Sequence, residues 1–163
     1  MPIHQSDILR GRFFSKSYSH VPGQRSAFLC HSHKDESLAL ALQGFLSEQG
    51  VNLYIDWQDS TMPEKPNVET AEKIRKRIRQ CDYFLYLATV NSRGSRWCPW
   101  EIGFADGVKR HDKIYVIPTT DGIENYGMEY IDLYRRIDKD LGGLGMYLPT
   151  SRYHVEPLSR AFI

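Results

Sequence analysis

The sequence has no apolar run close to the roughly 20 residues that a bilayer span requires, which excludes a membrane-spanning helix. Its N-terminal stretch, MPIHQSDILRGRFF, lacks the apolar core of an export signal. Cysteine is scarce: Cys30, Cys81 and Cys98 are odd in number and far apart. They make no disulfide framework, and a cytoplasmic location is expected. Neither sign of charge is in excess, with 21 Lys+Arg against 20 Asp+Glu and a formal net charge of +1. That balance argues against a nucleic-acid partner, whose binding domain is normally basic, and no membrane partner is expected either. The common enzyme signatures GxGxxG, GxxxxGK, HExxH and GxSxG are missing. Gly142-Gly143-Leu144-Gly145 is too short to cradle a phosphate. What remains is 163 residues, 18.9 kDa and 41% hydrophobic side chains. These bound a single domain with one proper core.

Residues 1–25 stand apart. They carry Arg10, Arg12, Lys16 and Arg25, no Glu, and no sustained apolar period. They read as an N-terminal arm with a short helix from Ile8 to Phe14, ahead of a domain over 26–163. From Ala27 onward the pattern alternates. Ala27–His31 is a short buried strand. Ser32 or Asp35 can cap a helix over Glu36–Gln49, whose Leu38, Ala41, Leu42, Phe45 and Leu46 share a face and which Gly50 ends. Val51–Trp57 is a second strand, and Pro63 and Pro66 make 58–67 a loop. Asn67 can cap a second helix carrying Ala71, Ile74, Ile78 and Cys81. Tyr83–Thr89 is a continuously apolar central strand. Pro99 suits the first turn of a helix to about Lys109. Lys113–Pro118 is a fourth strand, Tyr126–Ile137 a weak helix, 141–145 a turn, and Met146–Leu148 a short fifth strand.

Strand and helix in strict alternation predict an α/β fold with a parallel sheet of about five strands and helices on both faces. The flavodoxin-like order 2-1-3-4-5 puts the ligand crevice beyond the carboxyl ends of strands one and three. The loops at 30–35 and 91–98 should therefore face each other across it. The stretch Ser95-Arg96-Trp97-Cys98-Pro99-Trp100-Glu101 falls there. Glu101 shares a helical face with Trp97, Phe104 and Ala105. A carboxyl on an apolar stripe is costly unless it is paired or used, and burial would raise its pKa. An alternative stands beside this one: with Cys98 as cap, Glu101 would close a capping box and be favoured by the helix dipole. Trp97 is either core or a stacking platform for a flat ring. Cys98 as a nucleophile and Cys30, His31 and His33 as a metal site both lack the further partners those chemistries need, so no metal is expected. The run Lys73, Arg75, Lys76, Arg77, Arg79 reads as a solvated face salt-bridged to Glu69 and Glu72, four residues upstream of Lys73 and Lys76.

Taken together these segments resemble a TIR (Toll/interleukin-1 receptor) domain of the stand-alone bacterial type. Residues 27–35, AFLCHSHKD, look like the family's opening FISYSxKD box, with Cys30 where the family has serine. Val51–Asp56 looks like its second strand, leading into the BB loop at 57–67. That loop here has no Pro-Gly pair. Ser95-x-Trp97-Cys98-x-x-Glu101 looks like the SxWCxxE box, and Lys113–Pro118 like the strand after it. The resemblance spans about Ser26 to Leu148. It implies an NAD-cleaving enzyme (NAD nucleosidase or ADP-ribosyl cyclase) in which Glu101 is catalytic. His31, Ser32, Asp59, Thr61 and Trp97 would contact the substrate. NAD is then substrate, with no separate cofactor. The resemblance further implies self-association through TIR domains and a Thoeris-type anti-phage role, with the diffusible product read by a separate effector. A non-catalytic TIR adaptor and a nucleoside deoxyribosyltransferase-like enzyme are the alternatives. An adaptor has no need of a crevice carboxylate, so the intact box counts against it, and the transferase would cleave deoxynucleosides and leave NAD untouched.

Overall fold

The computed structural model describes residues 1–10, 23–140, 143–151, 153 and 156–162. The chain opens with a two-residue strand, β1 (Ile3–His4), and a short helix, α1 (Gln5–Leu9). The alternating core follows: β2 (Arg25–Cys30), α2 (Glu36–Glu48), β3 (Val51–Tyr54), α3 (Val68–Gln80) and β4 (Tyr83–Leu87). Next come α4 (Val90–Arg93), α5 (Trp97–Val108) and β5 (Ile114–Ile117). The remainder is mostly strand: β6 (Thr119–Thr120), β7 (Asn125–Tyr126), β8 (Arg135–Asp140), β9 (Gly143–Tyr147) and β10 (Glu156–Pro157), then α6 (Leu158–Ala161).

The main sheet runs β10-β9-β8-β5-β4-β2-β3. Its five strands β3, β2, β4, β5 and β8 pair in parallel, which is the order 2-1-3-4-5 expected from the alternation. Period-two alternation divides the core between the faces. Ala27 and Leu29 of β2, Leu85 of β4 and Ile117 of β5 point to the side covered by α2. Phe28, Cys30, Phe84, Tyr86 and Val116 point to the side covered by α3 and α5. Cys30, the last residue of β2, is thereby aimed beneath α5.

Two expectations are corrected. The helix over 126–137 does not form. Tyr126 pairs with Thr119 in the small β1-β6-β7 sheet. Gly127 follows at φ 84°, against the end of β4, where an added Cβ would meet the Ala88 Cβ at 2.6 Å. A helix cannot continue through that conformation and contact. The chain turns and enters β8, the fifth parallel strand. The strand expected at 146–148 belongs instead to antiparallel β9. The charged sequence of β8 hides its alternation, because its polar side chains are satisfied in place. Arg136 pairs with Asp138 at 3.3 Å and lies over the Tyr147 ring, and the amino terminus pairs with Asp138 at 3.0 Å. Ile137, between them, is buried in the core.

Of the N-terminal arm, residues 1–10 are built into the fold. Ile3 is buried, β1 adds in parallel to β6, and Lys139 donates to Asp7 of α1 at 2.7 Å. The rest of the expected helix, 11–14, and the start of the turn, 141–142, lie outside the described residues. No described helix is long and apolar enough to cross a membrane.

Candidate active site

The loop after β2 and the loop after β4 do meet. Ser32 caps a single 3-10 turn, His33–Asp35, accepting from the Lys34 amide at 3.3 Å. Asp35 then spends its carboxylate across the crevice, not on the α2 amides. It accepts from Thr89 Oγ1 at 2.5 Å and from Asn91 Nδ2 at 2.7 Å. Thr89 in turn caps α4 with a reciprocal Ser92 bond. This bridge ties the carboxyl ends of β2 and β4 together.

The start of α5 decides the role of Glu101. Ser95 Oγ accepts from the Trp97 and Cys98 amides at 3.2 and 3.3 Å, so the serine closes the helix end. The helix begins at Trp97. Glu101 therefore lies a full turn inside, too far along to bond back to the cap, and the capping-box alternative falls away. Its side chain is buried among sheet residues instead. Burial pushes its carboxyl well above the ordinary range, and the thiol of Cys98 and the carboxylate of Asp56 push the same way. The nearby Cys30 thiol pulls the other way, and burial outweighs it. Cys30 Sγ donates its one proton to the Cys98 carbonyl at 3.7 Å. Among the described residues Glu101 is in no ion pair.

His31, buried beside it, is held neutral. Trp57 Nε1 donates to His31 Nε2 at 2.9 Å, so that nitrogen is the acceptor. The proton is then on Nδ1, which donates to the Leu29 carbonyl at 3.1 Å. Burial lowers the pKa of this ring, and both nitrogens are engaged. His33 differs: its hydrogen bond to Asp56 at 3.1 Å raises its pKa. Burial works to raise Asp56, yet the His33 bond and the Trp57 amide keep it below the ordinary carboxyl range.

These groups enclose a cavity of about 410 Å³ at the carboxyl ends of β2 and β4. His31, Ser32, Trp97 and Glu101 all line it, together with His33, Asp56, Asn91 and Ser95. Asp59 and Thr61, expected with them, do not. They lie on a separate hollow of about 150 Å³ beside α3. The reason is local. Asp59 is consumed in organising its own loop, accepting from Thr61 Oγ1 at 2.6 Å, Tyr54 Oη at 2.8 Å, the Thr61 amide at 3.0 Å and Arg77 at 3.3 Å. Asp35, Asp56, Trp57 and Asn91 are site-forming residues that sequence reasoning missed. Asp56 and Trp57 follow the end of β3, so the strand-end rule that flagged the other loops also pointed at them.

The basic run on α3 is also different from expectation. Lys73 pairs with Glu69 at 2.9 Å as the spacing predicts. The arginines at 75, 77 and 79 instead lie over aromatic rings: Trp100 at 5.3 Å, Tyr54 at 5.1 Å and Phe104 at 4.9 Å.

The fold and site thus define an α/β domain whose buried, unanswered carboxyl sits in the crevice where such sheets bind small ligands. The chain belongs to the TIR domain family, which it matches over residues 27–144. Over 115 residues it is 32% identical to a protein of Bacillus cereus (strain MSX-D12) named probable 3' cyclic ADP-D-ribose synthase ThsB', a match covering 69% of this chain and 60% of that one. It is also 28% identical, over 81 residues, to a Cytobacillus dafuensis protein named putative cyclic ADP-D-ribose synthase TIR2, a match covering 48% of this chain and 21% of that one. The matches thus span less than two thirds of each relative's own length.

Proposed function

We propose that this protein cleaves the nicotinamide–ribose bond of NAD and closes the remainder into a cyclic ADP-ribose. The observation that carries this is the buried Glu101 carboxyl, in no ion pair among the described residues, lining a crevice of about 410 Å³. The names of the two relatives support the product class.

Glu101 suits the bond that breaks. The nicotinamide ring of NAD carries a positive charge next to the ribose. Its entry supplies the missing cation and favours the ionised carboxylate. As the C1′–N bond breaks, its electron pair goes to the ring, which leaves neutral, and positive charge develops on the ribose. A carboxylate in a water-poor site stabilises that charge, by the logic of glycoside cleavage. A hydroxyl or ring nitrogen of the same molecule then attacks C1′ and gives a cyclic product; attack by water would give linear ADP-ribose, and an attacking hydroxyl or water loses its proton to solvent. Neutral His31, locked by Trp57 and Leu29, shapes the wall without competing as an acid. Trp97 offers a flat face to the ring.

The wider role follows from the resemblance: an enzyme of anti-phage defence, assembled through TIR contacts, whose product is read by a separate effector. The test is mass spectrometry of NAD incubated with concentrated protein. The wild type should release nicotinamide and a cyclic ADP-ribose. Glu101→Ala should lose roughly 100-fold or more of that rate. Equal rates in the two proteins would refute the proposal.

A further inference from the structure

A second hollow, of about 310 Å³, adjoins the crevice. Ala71, Arg75, Arg96, Trp97 and Trp100 line it, and Trp97 is the wall the two share. Neither Arg75 nor Arg96 is in an ion pair among the described residues. Their neighbours are otherwise: Arg77 pairs with Asp59, Arg93 with Glu124, and Lys73 with Glu69. Arg75 lies 5.3 Å over the Trp100 ring, so its N–H edge is free to face a ligand. Trp100 is itself held, stacked on Phe104 at 6.1 Å and edge-on to Trp97 at 5.3 Å. Two uncompensated guanidinium groups against a braced aromatic wall suit a ligand that is both anionic and flat.

We propose that this shelf binds the adenosine diphosphate half of the dinucleotide. The assignment rests on the NAD reading above. With the nicotinamide ribose over Glu101, the rest of the molecule leaves the crevice past Trp97. The two phosphates meet Arg75 and Arg96, and the adenosine lies along the indoles. The shelf would also hold the adenosine half near the ribose while the ring closes, since that half carries the internal nucleophile.

The test needs no turnover. ADP and adenosine are titrated by calorimetry into the full chain and into Arg75→Glu, Arg96→Glu and Trp100→Ala. Each charge reversal should weaken ADP by roughly tenfold or more, with a much smaller effect on adenosine. Trp100→Ala should weaken both, and Glu101→Gln should bind ADP as the wild type does. Arg96 is exposed, so its reversal leaves the core untouched. Unchanged ADP affinity in both reversals would overturn the shelf, as would the absence of ADP binding to the wild type. If the reversals weaken ADP but no nicotinamide is ever released, the shelf stands and the cleavage reading falls. If nicotinamide is released and ADP binding ignores the reversals, the opposite holds.

Discussion

Glu101 and Asp59 are acids in the same α/β domain with opposite surroundings. Around Asp59 the loop supplies two donors from Thr61, β3 the Tyr54 hydroxyl and α3 the Arg77 guanidinium. Although burial works to raise it, these donors hold its carboxyl at about 2. Around Glu101 there are burial, the Cys98 thiol of its own helix and the Asp56 carboxylate after β3, and its carboxyl is driven well up. The first carboxylate stabilises the fold, and the second costs stability. A group the fold pays to keep is where chemistry is to be sought, whereas a fully answered carboxylate has nothing left to offer a substrate.

The contrast is broken most strongly by Asp59→Asn. Removing a charge with that many donors should destabilise the protein by about 1.5–3 kcal/mol, measured by urea unfolding near neutral pH. The stabilisation is present above the unfolded carboxyl's pKa, near 3.9, and is lost as pH falls through that value toward about 2. The variant and the wild type should therefore converge in acid. No difference at neutral pH would show that the loop does not depend on this charge.

Glu101→Gln should do the reverse and stabilise by about 1–3 kcal/mol near neutral pH. A raised folded pKa means that the native state binds the proton more tightly than the unfolded chain. Wild-type stability then declines as pH rises from about 4.3 toward the folded value. The gain from Gln should grow over that window and vanish below it. A variant less stable than wild type at pH 7 would mean that Glu101 is a satisfied structural acid. Asp56 sharpens the comparison with the smallest effect, since it lines the crevice yet is answered by His33. Asp56→Asn should lower the His33 titration midpoint, followed by NMR, back toward the ordinary histidine value near 6.5. An unmoved midpoint would show that the contact does not set this proton affinity.

Much of this was readable before the fold. Ala27–His31, Tyr83–Thr89 and Lys113–Pro118 are apolar runs short enough to be strands and uniform enough to be covered on both faces. Their order alone placed the crevice, and Glu101, His31, Ser32 and Trp97 line it. β8 escaped notice because a strand with Arg136 and Asp138 in it shows no apolar alternation until their pairing is known. For Asp59 and Thr61 the family resemblance points only to a loop, and a loop's path is set by its contacts. Asp35 looked like a cap, and only the approach of Thr89 and Asn91 shows where its carboxylate goes.

Local pattern therefore determined the alternating elements from β2 to β5, their sequence and the crevice they bound. Hydrophobic period and turn chemistry act within a few residues of each other. What the tertiary structure alone decided was the state of each polar group. The charge on Glu101, the tautomer of His31 and the isolation of Asp59 from the crevice all depend on atoms far away in sequence. Burial and hydrogen bonding exist only once those atoms have come together.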